Sequence, residues 1–229
     1  MNDFFLVTSQ LFSGFSPSNR VEISDLNLNR GQIVSLLGRN GAGKSMFLQT
    51  LSRQIPAQKG QIFIQKKPIH SFSPPAWAQL AALVNTDKIQ ADFLTGQELV
   101  NLGLYPRLGF WAKPNLSEQA FINDIFNSLE IDFLASKRLN HCSDGEKQLL
   151  QLARALAQRT DLLILDEITA HLDFANRRKV FAYLQNIARQ ANKLIFIATH
   201  ELDLAAAYSD KLLIFQANKA VFGDLADLR

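Results

Sequence analysis

An apolar run, Ile33-Val34-Ser35-Leu36-Leu37, passes directly into Gly38-Arg39-Asn40-Gly41-Ala42-Gly43-Lys44-Ser45, and a second apolar set at Met46, Phe47, Leu48 and Leu51 follows. No other feature limits the fold so tightly. The first run reads as a buried strand, and the spacing of the second set reads as the inner side of a helix. The octapeptide between them fits G-x-x-x-x-G-K-[ST], in the strand-then-helix context that pattern requires. Its glycines let backbone N–H groups curl round an oxyanion, and the helix N-terminus behind them adds a favourable dipole. Lys44 is spaced to reach the β- and γ-phosphates of a nucleoside triphosphate, and Ser45 to ligate Mg2+. Gly38, Asn40, Gly41, Ala42, Gly43, Lys44, Ser45 and Met46 are therefore candidate nucleotide-binding residues.

The rest of the chain alternates between strand and helix signals. Leu162-Leu163-Ile164-Leu165 and Leu194-Ile195-Phe196-Ile197-Ala198 each follow a helix-like segment and read as central strands of a parallel sheet. Leu212-Leu213-Ile214-Phe215 and Ala220-Val221-Phe222 read as a closing hairpin or edge strands, and the tail Leu225–Arg229 is too short for a C-terminal regulatory domain. From about Thr86 to Ala157 the strand signals fade and helix-period positions such as Phe121, Ile122, Ile125, Phe126 and Leu129 take over. The expected organisation is one domain over 1–229, with an α/β core at about 1–85 and 158–229 and a helical insertion at about 86–157.

Composition narrows the class. The chain has 229 residues, 47% hydrophobic and 20% charged, which suits a globular protein with a substantial core rather than a disordered one. Its net charge of +3 is small, and the cluster Arg177-Arg178-Lys179 has no second basic tract to extend it, so it reads as a solvated helix face and no nucleic-acid partner is expected. One cysteine, Cys142, excludes an internal disulfide and fits a reducing compartment. Phe4-Phe5-Leu6-Val7 is too short for a signal peptide, and 18 consecutive apolar residues occur nowhere, so any membrane spans would belong to another chain.

Two further segments carry chemistry. The strand Leu162–Leu165 ends in Asp166-Glu167, and side chains at a strand tip point differently, so one acid can hold a magnesium shell while the other polarises a water. Cys142-Ser143-Asp144-Gly145-Glu146-Lys147-Gln148 precedes Leu149–Ala157 as a polar, Gly-containing helix start with a hydroxyl and free N–H groups, which makes an anion site. Ser143 and Glu146 also have capping-box spacing, and a capped N-terminus can still receive a phosphate.

That segment resembles the signature of ABC ATPases, with Cys142 in place of Leu and Asp144 in place of one glycine of its pair. Asp166–Asp173 resembles Walker B running into the D-loop, and Ala198-Thr199-His200 resembles the H-loop. The family resemblance covers nearly the whole chain. It implies a P-loop NTPase (RecA-like) core with N-terminal antiparallel β strands and an inserted ABC-type helical subdomain. It also implies ATP and Mg2+ as cofactors. Two copies would pack head to tail, so that Lys44 and Ser45 of one face Ser143, Asp144 and Gly145 of the other across ATP. Glu167 resembles the general base, His200 the residue that contacts the γ-phosphate, and Asp173 the acid that couples the two sites. Phe15 sits where an aromatic stacks on adenine, with Phe12 as its competitor.

Within the family, Leu99–Pro106, Gly109-Phe110-Trp111, Leu116-Ser117-Glu118 and Thr199–Ala205 resemble the metal-chelate importers, which carry ferric siderophores, haem or cobalamin. The resemblance implies permease subunits and, indirectly, a solute-binding protein as partners, with the chain peripheral on the cytoplasmic face of the cell or inner membrane. Three positions depart from the family pattern. Asn85-Thr86 stands where a Gln is usual, with Thr86 the first equivalent by spacing and a candidate near the metal, and Asn85 the next. Met46 replaces a Thr, removing a hydroxyl from the phosphate site at a cost of roughly 1.5–3 kcal/mol for a bond to a charged oxygen. Cys142 is smaller than Leu but still apolar and is expected to pack. Two other readings stay open: a non-transport ABC ATPase, or a weakly active nucleotide-binding subunit.

Overall fold

The computed structural model describes residues 4–85, 91, 93–109 and 113–223. Thr86, Phe110 and Trp111, and the tail Leu225–Arg229, lie outside the described residues.

The chain opens with β1 (Leu6–Ser16), β2 (Asn19–Ile23) and the short β3 (Asn27–Leu28), then β4 (Ile33–Gly38) and α1 (Lys44–Leu51). A hairpin of β5 (Lys59–Ile64) and β6 (Lys67–Pro68) follows, and α2 (Pro74–Leu80) leads into β7 (Ala81–Val84). Four helices come next, α3 (Gly96–Asn101), α4 (Tyr105–Leu108), α5 (Leu116–Ser128) and α6 (Asp144–Ala157). Among the described residues between Val84 and Leu162 there is no strand. The final part alternates β8 (Leu162–Asp166), α7 (Phe174–Gln190), β9 (Leu194–Ala198), α8 (Leu202–Tyr208), β10 (Lys211–Gln216) and β11 (Lys219–Gly223).

All the strands belong to one sheet, ordered β6-β5-β1-β2-β11-β10-β4-β9-β8-β7, with β3 beside β1. The half from β10 to β7 is parallel, and the N-terminal strands pair antiparallel. Alternation explains why the central strands are apolar throughout. Leu163 and Leu165 of β8 and Ile195 and Ile197 of β9 face the core built by α3, α5, α6 and α7. Leu162, Ile164, Leu194 and Phe196 face the opposite core, where Phe47, Leu48 and Leu51 of α1 meet the N-terminal strands. A strand covered on both sides has no polar face to present.

One sequence expectation changes here. The last two strands do form a hairpin, but it lies in the middle of the sheet: β10 pairs in parallel with β4, and β11 with β2. An edge strand would leave a face or a ladder to solvent, whereas Leu212, Leu213 and Phe215 are all buried. The hairpin joins the antiparallel half to the parallel half.

This topology sets the tips of β4, β9 and β8 side by side. Leu36 pairs with Ala198, and Asp166 pairs with Ala198 from the other side. The phosphate loop, Asp166-Glu167 and Thr199-His200 therefore all leave the sheet at one edge, the carboxyl end of the parallel strands, where open α/β sheets place their ligands.

Candidate nucleotide site

Lys44 begins α1, and its side chain is almost wholly buried, at 4% exposure. Its Nζ donates to the carbonyls of Gly38 at 2.8 Å and Arg39 at 3.4 Å and lies 3.8 Å from Glu167 Oε1. The ammonium is thus held inside the loop it follows, pointed at the space the loop encloses. Gly43 caps the helix at φ 104°, in the left-handed region that favours glycine, and a Cβ there would stand 2.4 Å from Val21 Cγ2. No side chain caps this helix, so its first N–H groups remain available to an anion.

Across the loop, the last residue of β8 is Asp166. Burial raises its carboxyl above the ordinary carboxylate range, a hydrogen bond from the Ser45 hydroxyl and the charge of Lys44 oppose that, and Glu167 adds to it. Its Oδ1 is buried and has no hydrogen-bond partner among the described residues. Buried polar atoms are seldom left in that state without a functional reason. An oxygen-coordinated divalent cation would fit the gap, and Ser45 and Asp166 are the side chains that could hold it. Glu167 follows at φ 49°, with its Oε1 3.8 Å from Lys44 Nζ. Its N–H is fixed by Ala198 O at 3.1 Å.

These groups enclose a cavity of about 410 Å³. Of the predicted site residues, Asn40, Gly41, Gly43, Lys44, Ser45, Met46, Asp166 and Glu167 line it. Asn19, which no sequence pattern singled out, lines it too. The arrangement concentrates a buried cation, free helix N–H groups, an unpartnered carboxylate oxygen and a second carboxylate in one cleft. A polyphosphate with a divalent cation satisfies each of those groups.

Other predicted residues lie outside this cavity. His200 is just beyond β9, about half exposed, with Nε2 3.5 Å from Glu201 Oε1. Phe15 is 60% exposed on β1, while the competing Phe12 ring is engaged by the Arg20 guanidinium at 4.7 Å and the Lys59 ammonium at 5.8 Å. Of the two, Phe15 is the ring with an open face.

Ser143, Asp144 and Gly145 form the start of α6. The capping box is present in full: Ser143 Oγ accepts from Glu146 N at 3.2 Å, and Ser143 N donates to Glu146 Oε2 at 2.7 Å. Burial works against the Glu146 charge, but the Lys137 ammonium at 2.9 Å and the Ser143 donors hold its carboxyl below the usual range. Gly145 is required by a close approach, because a Cβ there would stand 2.8 Å from His171 O. Gln148 completes that contact with hydrogen bonds to His171 Nδ1 at 3.2 Å and from His171 N at 3.3 Å. The helix start is therefore locked to the loop that follows Asp166-Glu167. Cys142 is buried, its Sγ donates to Arg138 O at 3.4 Å, and burial pushes its thiol above the usual range. This is the packing role expected of it.

Asp173, exposed, caps α7 by accepting from Asn176 N at 2.8 Å. Sequence reasoning missed that cap, although Asp immediately before a long helix is a signal for one. In the cluster at residues 177–179, Arg178 and Lys179 are exposed, as a solvated helix face should be, and only Arg177 departs from that reading. Arg177 is not merely solvated: its Nε donates to Leu172 O at 2.7 Å and its guanidinium pairs with Glu201. Arg178 Nε donates to the Tyr208 hydroxyl at 3.3 Å, and Lys179 pairs with Glu130. The helix uses this face to tie α8 and the 167–173 loop together.

Comparison with known proteins agrees with this geometry. A family profile described as ABC transporter matches residues 21–170. The chain is similar to an iron(3+)-hydroxamate import ATP-binding protein of Bacillus subtilis, at 30% identity over 94% of this chain and 80% of that one. It is also similar to a hemin import ATP-binding protein of Hydrogenovibrio crunogenus, at 34% identity over 87% of this chain and 80% of the relative. A solved ABC transporter in an inward-facing conformation shares the fold, with a TM-score of 0.82 at 24% identity, covering 98% of this chain and 84% of that one.

Proposed function

The chain belongs to the ABC transporter family, and from that premise we propose that it is the ATP-hydrolysing subunit of an importer for metal chelates such as ferric siderophores, haem or cobalamin. The observation that carries the ATPase part is the pairing, in one cleft, of buried Lys44 with the unpartnered Asp166 Oδ1 and the adjacent Glu167 carboxylate. The importer part is supported by the names of the relatives, which transport iron hydroxamate and hemin. Among the described residues no helix is long and apolar enough to cross a membrane, which agrees with permease subunits on separate chains. The chain would then sit peripherally at the cytoplasmic membrane face, with a solute-binding protein as an indirect partner. We read the chain as a core at about 1–85 and 158–229 carrying a helical subdomain at about 86–157.

The chemistry follows from the groups present. Lys44 and the α1 N-terminus bind the β- and γ-phosphates, and Phe15 offers its exposed ring to the base. Ser45 and Asp166 would hold Mg2+, which when bound offsets phosphate charge. Glu167 orients a water and accepts its proton as the water oxygen bonds to the γ-phosphorus and the bond to the ADP oxygen breaks. His200 adds a contact to the γ-phosphate from the tip of the neighbouring strand. Ser143, Asp144 and Gly145 receive the γ-phosphate of a second copy, and Asp173 links the two sites. Steady-state hydrolysis by the wild-type chain and Lys44→Ala tests the assignment. Loss of turnover together with ATP binding is expected, and normal turnover in the variant would contradict it.

A further inference from the structure

The phosphate-side cavity has a direction. The Ser45 hydroxyl bonds to Asp166, so the β8 side of α1 is the metal side. Met46, the next residue, turns the other way: its Cε lies 3.3 Å from where a Cβ on Gly43 would stand, beside Val21 of β2. A triphosphate with its terminal phosphates at Lys44, Asp166 and Glu167 therefore extends its α-phosphate and ribose toward β2. The Met46 thioether is at best a weak acceptor and offers nothing to a phosphate oxygen.

Asn19 stands on that side. It is the first residue of β2, paired with Ser16 across the hairpin, and it lines the cavity. Side chains alternate along a strand, so Asn19 and Val21 share a face. Val21 is buried against the phosphate loop at Gly43, and Asn19, one step nearer the hairpin tip, is exposed at the cavity rim. The Asn19 N–H donates to Ser16 Oγ at 3.2 Å, which anchors the backbone, and its side chain makes no hydrogen bond among the described residues.

We propose that the Asn19 carboxamide is a nucleotide-contacting group, donating from Nδ2 to the α-phosphate–ribose end of bound ATP. This rests on the nucleotide reading of the cavity. It adds a polar contact on the N-terminal hairpin that also carries Phe15, at a position no motif marks.

Calorimetric titration of the purified full chain with ATP and with ADP tests it, using Asn19→Ala and Asn19→Asp. A hydrogen bond to a charged oxygen sets the scale at about tenfold. Asn19→Ala should weaken both nucleotides by that factor, because both carry the α-phosphate and ribose. Asn19→Asp should weaken both further, because its carboxylate faces the phosphates. Unchanged thermal midpoints of the nucleotide-free variants would exclude a folding defect as the cause. Unaltered affinities in both variants, or a loss confined to ATP, would overturn the assignment. A wild-type chain that binds neither nucleotide would instead remove the phosphate-loop reading itself.

Discussion

The phosphate loop and the start of α6 are both polar, glycine-bearing helix N-termini, yet their internal state differs. The first is concave and incomplete: α1 has no side-chain cap, and Asp166 Oδ1 beside it has no partner among the described residues. The second is complete in itself. Ser143 and Glu146 cap each other, Lys137 neutralises Glu146, and Gly145 lies flat against His171. A region with unmet hydrogen-bonding needs recruits a ligand by its own deficit. A region already satisfied contributes only to a ligand delivered by another body. The contrast gives a physical reason for the proposed pairing of two copies, in which the deficient half of one would face the satisfied half of the other.

The largest effect that would sharpen this contrast belongs to Asp166→Asn. Burial holds the Asp166 pKa above its ordinary value of 3.8, so the fold binds this proton more tightly than the unfolded chain does. Stability from this group is therefore fully present below that value and is lost as pH rises from it through the folded pKa. This group therefore leaves the nucleotide-free chain less stable at neutral pH than in acid, and the amide should raise the melting midpoint there. The same change should cost the magnesium-dependent part of ATP affinity at least the roughly 10–100-fold seen when a metal site loses a supporting group. A variant no more stable at neutral pH, with magnesium dependence intact, would mean that the deficit at Asp166 is not a metal site.

Ser143→Ala probes the other half. Loss of the cap should cost about 1 kcal/mol in denaturant unfolding, the usual penalty for removing an N-cap hydroxyl. ATP affinity of the isolated monomer should stay unchanged, since Ser143 does not line the cavity. A fall in monomer affinity would break the division of labour between the halves. The smallest effect concerns Cys142. With 8% exposure and a thiol pKa raised by burial, it should react with iodoacetamide at neutral pH only as fast as the chain unfolds. Rapid labelling of the folded protein would remove it from the packing behind the helix start.

Legibility in the sequence followed the range over which each feature is determined. The phosphate loop, the strand before it and the helix after it are local, and 33–51 could be read residue by residue. The double-sided burial of 162–165 and 194–198 was legible because a strand with no polar face has to be interior. The capping box at Ser143 and Glu146 was legible because both partners lie within one helical turn. The position of the last hairpin was not, since apolar residues at 212–215 show burial but not which strands do the burying. Arg177 escaped for the same reason: its partners, Leu172 O and Glu201, meet only after α8 has packed on α7. Asn19 carried no signal of its own, and only the register of β2 against the phosphate loop gives it a place in the cavity.

The pairing of deficient and satisfied halves is tested most directly by light scattering on purified Glu167→Gln, with and without Mg-ATP. With Glu167 as the proposed proton acceptor, this change should block hydrolysis while leaving Lys44, Ser45 and Asp166 in place for nucleotide, so any ATP-bound assembly should persist. The account predicts a monomer without nucleotide that becomes a dimer on adding Mg-ATP, and no such change when Ser143→Ala is added. A chain that binds ATP under these conditions and stays monomeric would contradict it.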